Sequence, residues 1–198
     1  MAGRASEIAP RLLGHTLHCG ARWGTIVEVE AYEGSDDPAS HAFRGPTARS
    51  AVMFEAPGLL YVYRIYGMHW CANVVCGPEG TGSALLVRAL EPGGGIDAMW
   101  PDRPKARALT DLASGPGKLC AALGLSSAHN GVDLLAPDGA VRLGRPTDGV
   151  SGPGPGAVAG DAVVAGPRVG ISKAVARPWR FALAANPHVS RPRPPGWR

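Results

Sequence analysis

The sequence has few cysteines, few lysines and no long apolar segment, and these shortages exclude several classes of protein. No stretch reaches about 18 consecutive apolar residues, the length that a transmembrane helix needs, so no membrane partner is expected. Arg4, Glu7 and Arg11 interrupt the N-terminus, where the apolar core of a signal peptide would lie. We therefore expect a cytoplasmic protein, nucleoid-associated if it is bacterial.

The cysteines are spread along the chain and predict neither a disulfide framework nor a metal site. There are four, with no CxxC pair and no zinc-finger spacing: Cys19, Cys71, Cys76 and Cys120. His15 and His18 lie close to the first of them, but no second cluster matches these three residues. Free, mostly buried thiols in a reducing compartment are expected instead.

The length and charge of the chain suit one domain with a moderately basic surface. With 198 residues, the chain is long enough to bury a core without disulfides or metal ions. It has 20 Lys and Arg residues against 16 Asp and Glu residues, a net charge of +4. This balance permits a polyanionic partner without requiring one. Most of the cations are arginines, which suit bidentate phosphate contacts, although codon bias would produce the same excess.

The segment from residue 26 to residue 41 carries the first informative signal. Apolar and polar residues alternate from 27 to 32, the period of two expected of a strand with one buried face. The polar face carries Glu28, Glu30 and Tyr32 and would be open to a ligand. Such a face is most often a solvated sheet surface, and the spacing does not distinguish the two carboxylates as candidate bases.

A β-hairpin is predicted from Leu59 to Val75, because two strand-like runs flank a central glycine. Its tip would carry Tyr66 and Met68. A large aromatic side chain beside a glycine turn has little core to pack against, so its exposure requires another reason. Tyr61 and Tyr63 share one face of the first strand, where both packing across the sheet and a platform for a ligand remain open interpretations.

Two further segments carry cations that suit an anionic partner. The long polar loop from 33 to 51 contains Arg44 and Arg49, and a loop of this length is usually functional or disordered. A helix is predicted over Gly117–Leu123, because a proline precedes it and a glycine follows it. The N-terminus of that helix, with Lys118 nearby, suits a phosphate group.

The rest of the chain is expected to supply short elements. Residues 1–14 favour a helix with Ser6 as its N-cap. Arg88 is the one charge in an apolar strand, so it should face a polar groove and have a partner. The segment 186–198 is rich in proline and arginine and should be a frayed tail. The other predicted elements are strands at Thr16–Cys19, Thr25–Tyr32, Ser83–Leu90, Val163–Ile171 and Trp179–Ala184, a turn from Glu91 to Gly95, and a surface loop from Asp148 to Gly160.

Six segments, in order along the chain, resemble the alkyladenine (3-methyladenine) DNA glycosylase family. They are IVEVEAYEGSDDPASHAFRG, VMFEAPGLLYVYRIYGMHWCANVV, LLVRALEP, SGPGKLCAALGL, PRVGI and PWRF. The resemblance implies an α/β mixed (α+β) fold: a single domain over residues 1–198 with a curved antiparallel β-sheet, flanking helices and a protruding DNA-intercalating β-hairpin. It also implies no metal ion, no organic cofactor, and double-stranded DNA containing damaged purines as the partner. The sequence leaves the oligomeric state open, and a monomer is the natural expectation.

The resemblance also implies roles for individual residues, by position. Glu30 corresponds to the general base, and Arg88 and the backbone carbonyl of Ile171 correspond to groups that hold the attacking water. The residues that enclose the flipped base correspond to Tyr32, His41 and Tyr63. Asn73 corresponds to the asparagine that opposes the 2-amino group of normal guanine. These correspondences, together with the predicted hairpin tip, predict that Tyr66 and Met68 intercalate into the DNA. Together with the two segments that carry cations, they also predict that Arg49 and Lys118 contact the DNA backbone.

The expected activity is that of a monofunctional DNA N-glycosylase of base excision repair. Such an enzyme would flip out alkylated or deaminated purines of the 3-methyladenine, hypoxanthine and ethenoadenine type, and hydrolyse the N-glycosidic bond with a water activated by Glu30. No lysine stands among the matched residues, so lyase activity is not expected. Two alternatives remain open, a non-catalytic nucleic-acid-binding module on the same fold and a hydrolase of free nucleosides.

Overall fold

In the computed structural model, which describes residues 3–145 and 163–197, one curled antiparallel sheet contains eight strands. The strands are β1 (Thr16–Cys19), β2 (Arg22–Glu33), β3 (Leu60–Ile65), β4 (His69–Cys76), β5 (Ser83–Gly94), β6 (Val141–Gly144), β7 (Val163–Gly166) and β8 (Arg180–Leu183). The helices are α1 (Ala5–Leu12), α2 (Ile96–Met99), α3 (Leu109–Leu112) and α4 (Pro116–Leu123). The predicted loop at Asp148–Gly160 lies outside the described residues. This mixed α/β architecture confirms the fold class expected from the sequence.

Strand β2 lies at the centre of the sheet, where it pairs with three other strands, β1, β5 and β8. The main path runs β3-β4-β5-β2-β1-β6, while β8 also pairs with β2, and β7 pairs with β8. Register shifts between β2 and β5 mark β-bulges, which bend the strand and help the sheet to curl. Val27, Val29 and Ala31 are buried as predicted, but Glu28 and Glu30 are buried as well. The two carboxylates are therefore covered rather than open, because segments that follow β7 and β8 donate hydrogen bonds to them.

The two longest helices begin for different reasons. Helix α4 starts at Pro116 and is followed by Gly124 at φ +75°, as predicted. Ser6, in contrast, is not an N-cap. It lies in the first turn of α1, where its N–H (2.9 Å) and its hydroxyl (2.7 Å) donate to Oε1 of Glu33. A carboxylate at the end of β2 therefore caps α1 in place of a local side chain.

Of the helices described, none is long and apolar enough to cross a membrane.

Strands β2, β5 and β7 differ from their predictions, and β2 begins at Arg22 rather than at Thr25. Strand β5 continues through the expected turn at Glu91 as far as Gly94, because its pairing with β2 extends that far. Strand β7 ends at Gly166 rather than at Ile171. The chain leaves the sheet there, and the residues that follow donate hydrogen bonds to other segments, among them Glu30. Strand β6 was not predicted, and it is a short strand that pairs with β1.

The C-terminal segment from 186 to 197 packs against the sheet, in contrast to the frayed tail expected from its composition. Val189 and Trp197 are buried, and the guanidinium carbon of Arg180 lies 4.7 Å from the centroid of the Trp197 ring. Arg180 also donates to two backbone carbonyls of the segment. Proline-rich backbone makes few hydrogen bonds of its own, so these contacts from the preceding strand, β8, hold it, and composition does not reveal them.

Candidate active site

The carboxylate of Glu30 has three polar partners, and it lies where three segments of the chain meet. Its Oε2 accepts from the Tyr32 hydroxyl at 2.9 Å, and its Oε1 accepts from the Val169 N–H at 2.7 Å and lies 3.1 Å from Nη1 of Arg88. Glu30 is fully buried, so these donors replace the water that the carboxylate loses on folding. Burial, and then the charge of Glu30, raise the pKa of Tyr32, so its hydroxyl keeps its proton and remains a donor.

Arg88 joins Glu30 to the second buried carboxylate of β2. Its Nε donates to Oε1 of Glu28 at 3.0 Å, while Nη1 faces Glu30. Burial by itself lowers the pKa of Arg88, but the charges of Glu30 and Glu28 outweigh it and hold that pKa above its usual value. Arg88 therefore stays cationic inside the protein, and it has the polar partners that its position in an apolar strand led us to expect.

The two carboxylates differ in their surroundings. The three partners of Glu30 all line an adjoining cavity, so Glu30 lies directly behind the cavity wall. Glu28 is held by Arg88 and also by Arg180 and Ser190, neither of which lines that cavity. Glu30 is therefore the better candidate for a base that acts on a bound ligand, and Glu28 is the better candidate for a supporting residue.

The adjoining cavity has a volume of about 310 Å³, which suits a small planar ligand. It brings together residues from five separate stretches of sequence. The predicted site residues among its lining are Tyr32, His41, Tyr63, Tyr66, Asn73, Arg88 and Ile171, and residues that the sequence had not assigned include Tyr61, Cys71, Pro116 and Val169. Over residues 3–145 and 163–197, no group of His, Cys, Asp and Glu side chains could hold a metal ion.

Aromatic rings form one wall of the cavity. Tyr61 and Tyr63 stack with their ring centroids 5.4 Å apart, and His41 meets Tyr63 edge-on at 4.5 Å. Nδ1 of His41 lies 3.2 Å from the Tyr61 hydroxyl. Desolvation, and then the charge of Arg49, lower the pKa of His41, so its ring is uncharged at neutral pH. Such a wall suits aromatic contact with a planar ligand.

Asn73 is fixed in the cavity lining by the neighbouring strand. Its side chain is buried, and its Nδ2 donates to the backbone carbonyl of Tyr61 at 3.1 Å. The two residues face each other in the pairing of β3 with β4. Because the amide group is held in place, it presents a fixed polar group to any ligand in the cavity.

The hairpin of β3 and β4 ends in an exposed tip. Tyr66 and Met68 expose 82% and 67% of their surface, respectively. Tyr66 and Gly67 have φ values of +52° and +68°, two successive positive values as in a type I′ turn. A tyrosine in this conformation costs roughly 1–3 kcal/mol, and such strain concentrates at functional sites. The tip is therefore built to present an aromatic side chain away from the core.

Arg49 lies beside the aromatic wall. Its Nη2 donates to the backbone carbonyl of Arg64 at 2.7 Å, and its guanidinium carbon lies 5.0 Å from the centroid of the Tyr63 ring. These contacts tie the loop after β2 to the end of β3. They also place a positive charge beside the cavity, and the predicted contact of Arg49 with a DNA backbone stays a prediction.

Lys118 lines a second cavity, of about 370 Å³, next to the first. The two cavities share Arg88 and Pro116 in their walls. Arg191 and Arg193, from the C-terminal segment, also line the second cavity. Several cations around one concave surface suit a phosphate group. The sequence had singled out Lys118 but not the two arginines, because the tail was expected to be frayed.

A buried arginine that the sequence did not single out holds the loop after β7. Arg168 pairs with both carboxylate oxygens of Asp37, and its Nη1 also donates to a backbone carbonyl of β2 at 2.8 Å. Its guanidinium carbon lies 4.6 Å from the centroid of the Tyr32 ring. Val169 is the next residue in the chain after Arg168. These contacts therefore position the Val169 N–H, which donates a hydrogen bond to Glu30. No local pattern connects Asp37 with a partner 131 residues away.

Comparisons with known proteins give one consistent family. A family profile described as methylpurine-DNA glycosylase matches residues 1–187. A Rhodopseudomonas palustris protein is 50% identical over 188 residues, which cover 94% of this chain and 85% of that protein. A Frankia casuarinae protein is 48% identical over 188 residues, with coverage of 95% and 88%, respectively. Both relatives carry the provisional name 3-methyladenine DNA glycosylase.

Proposed function

Because the chain belongs to the methylpurine-DNA glycosylase family, we propose that it excises damaged purines from DNA by hydrolysing the N-glycosidic bond. The observation that carries this proposal is the position of Glu30, a buried carboxylate whose three polar partners all line a cavity large enough for one base. A carboxylate held in this way can accept a proton from a water in the cavity and stabilise positive charge on the sugar.

The reaction begins with extrusion of the damaged nucleotide, because its glycosidic bond is out of reach inside stacked DNA. Tyr66 enters the gap left in the duplex, and Met68 supports it at the tip. The base then lies against the aromatic wall of the cavity. Arg88 and the backbone carbonyl of Ile171 hold a water, Glu30 takes its proton, and the resulting hydroxide adds to the anomeric carbon as the base departs.

The cavity favours purines that lack the 2-amino group of guanine. The side-chain amide of Asn73 is held by the carbonyl of Tyr61, so it would oppose that 2-amino group. Alkylated adenines, hypoxanthine and ethenoadenine avoid this conflict. No lysine is among the residues described that line the cavity, so the product is an intact strand with an abasic site, and no lyase step follows.

Single-turnover excision tests the proposal directly. Duplexes that carry one hypoxanthine, ethenoadenine or 3-methyladenine are incubated with excess protein, and abasic sites are revealed as strand breaks after alkali. We expect release of the damaged base from at least one of these duplexes and none from the matched undamaged duplex. Tight duplex binding without release from any of the three would indicate a non-catalytic binding module instead, and release from free nucleosides alone would indicate a nucleoside hydrolase.

Removal of the exposed aromatic ring should weaken capture of the flipped nucleotide. We expect Tyr66→Ala to reduce excision from a hypoxanthine duplex by about 10-fold or more, because stacking of an aromatic ring on a base contributes roughly 1–3 kcal/mol. The measurement is the single-turnover rate with the protein in excess over the duplex but below the concentration that saturates the rate.

Leu135→Ala removes an exposed apolar side chain outside both cavities and is the matched control. Because a single strand has no stack to fill, Tyr66→Ala should excise hypoxanthine from single-stranded DNA at the wild-type rate. An equal loss on both substrates would show that the ring acts in the cavity and not as a wedge.

Lys118 should contribute one phosphate contact. We expect Lys118→Ala to reduce the slope of log affinity against log salt concentration by about 1, with equal weakening on damaged and undamaged duplexes. Fluorescence anisotropy over a salt series measures both quantities. Lys105, an exposed lysine outside both cavities, provides the control Lys105→Ala, and an unchanged slope in Lys118→Ala would remove this residue from the DNA interface.

A further inference from the structure

Glu28 is the most heavily bonded carboxylate at the site, although it does not line the base cavity. Its Oε1 accepts from Nε of Arg180 at 2.6 Å, Nε of Arg88 at 3.0 Å and the hydroxyl of Ser190 at 2.9 Å. Its Oε2 accepts from the Ser190 N–H at 2.6 Å. Glu28 is fully buried, so its partners are protein groups from three different segments.

Ser190 connects the C-terminal segment to Arg88. Its hydroxyl lies 3.3 Å from Nη2 of Arg88 as well as 2.9 Å from Glu28. The side chain is buried, and the backbone carbonyl of Ser190 accepts from Nη2 of Arg180 at 3.1 Å. The match of the family profile ends at residue 187, before Ser190.

The contacts of Arg88 use all three nitrogens of its guanidinium. Nε faces Glu28, Nη2 faces Ser190 and Nη1 faces Glu30. The group is rigid and planar, so two nitrogens held by Glu28 and Ser190 fix the direction of the third. The charges of this buried group also balance. The negative charges of Glu28 and Glu30 are offset by the positive charges of Arg88 and Arg180.

We propose that Glu28 and Ser190 are positioning residues for base excision, which hold Arg88 in the orientation that places Nη1 against Glu30 and the base cavity. The proposal rests on the proposed function. Neither residue touches the substrate, and both act through the arginine. The segment from 188 to 192 then belongs to the active site and is not a tail.

The test separates the rate of the chemical step from DNA binding. Ser190→Ala removes the hydroxyl but keeps the backbone N–H to Glu28, and Glu28→Asp keeps the charge but shortens the reach by one methylene. We expect each to lower the maximum single-turnover rate on a hypoxanthine duplex by about 10–100-fold, since small misplacements at a reacting centre have effects of this size. The protein concentration at half-maximal rate should not change.

The control removes a different contact between the same strand and the same end of the chain. Glu91 lies three positions after Arg88 on β5, and its carboxylate accepts from Nδ2 of Asn186 at 2.8 Å. We expect Glu91→Ala, which removes this acceptor, to excise at the wild-type rate. All rates are measured well below the melting temperature and are normalised to the folded fraction from near-ultraviolet circular dichroism, so a loss of fold is not read as a loss of rate.

Two results would overturn the positioning role while leaving the proposed function intact. The first is a wild-type maximum rate in both Ser190→Ala and Glu28→Asp. The second is a change in the half-maximal concentration alone, which would place these residues in DNA binding. If the wild-type protein itself releases no base, the proposed function fails, and the positioning role fails with it.

Discussion

Excision of damaged bases is expected to fall by about 10²–10⁴-fold when Glu30 is replaced by glutamine, the range that a positioned general base contributes. Glutamine has nearly the same shape, and its amide oxygen can still accept from Tyr32 or from the N–H of Val169. It cannot take a proton from water at neutral pH, and it carries no charge to stabilise a cationic sugar. Duplex binding should therefore be retained while the chemical step is lost.

The measurement for Glu30→Gln combines two assays on one hypoxanthine duplex. Single-turnover kinetics give the rate of base release, and anisotropy gives the dissociation constant of the same complex. Glu55→Gln, which alters an exposed carboxylate outside the cavity, is the matched control and should behave as wild type. If Glu30→Gln excised at the wild-type rate, the assignment of the base would be wrong, and Glu28 would be the next carboxylate to test.

Stability is expected to fall by about 3–5 kcal/mol when Asp37 is replaced by asparagine, because one partner of a buried ion pair is lost. Asp37 and Arg168 both have fully buried side chains, and the arginine binds both carboxylate oxygens. Asparagine would leave the guanidinium in the interior without its counter-charge. For a chain of this size, the loss corresponds to a decrease in melting temperature of about 6–20 °C.

Urea unfolding and a thermal melt, both followed by circular dichroism, measure this loss. Asp36→Asn is the matched control, since Asp36 precedes the buried residue, is exposed and forms no side-chain ion pair among the residues described. We expect its free energy of unfolding to stay within about 0.5 kcal/mol of wild type. A decrease of the same size in both variants would mean that the turn after β2, and not the ion pair, carries the stability.

The Asp37 variant should also affect the site. Arg168 precedes Val169, whose N–H holds Glu30, so a displaced arginine would loosen one of the three contacts of that carboxylate. The folded fraction of Asp37→Asn is therefore expected to excise more slowly than wild type, with a smaller effect than that of Glu30→Gln.

Local patterns in the sequence were sufficient for much of the fold. The alternation that ends in Tyr32 corresponds to β2, and the two runs on either side of Gly67 correspond to β3 and β4. The limits of α4 followed from a proline at its start and a glycine at its end. These signals work because a strand face, a turn and a helix cap each depend on residues within a few positions of one another.

Local patterns failed where a distant group decides the outcome. Ser6 has the chemistry of a helix cap, yet the carboxylate of Glu33 takes that role because β2 ends beside α1. The segment after residue 186 has the composition of a tail, yet Arg180 and Glu28 bind its backbone. In both cases a tertiary contact outweighs a weak local preference.

The residues of the candidate site fall into the same two groups, those that the sequence reveals and those that only tertiary contacts bring to the site. Glu30, Tyr32, His41, Tyr63 and Tyr66 could be named from the sequence, because they stand within motifs that resemble a family and have side chains suited to the chemistry. The Val169 N–H, the Asp37–Arg168 pair and the contact of Ser190 with Glu28 could not. A backbone N–H has no residue type to mark it, and a buried ion pair between positions more than 100 residues apart exists only once β2, the loop after β7 and the C-terminal segment have packed together.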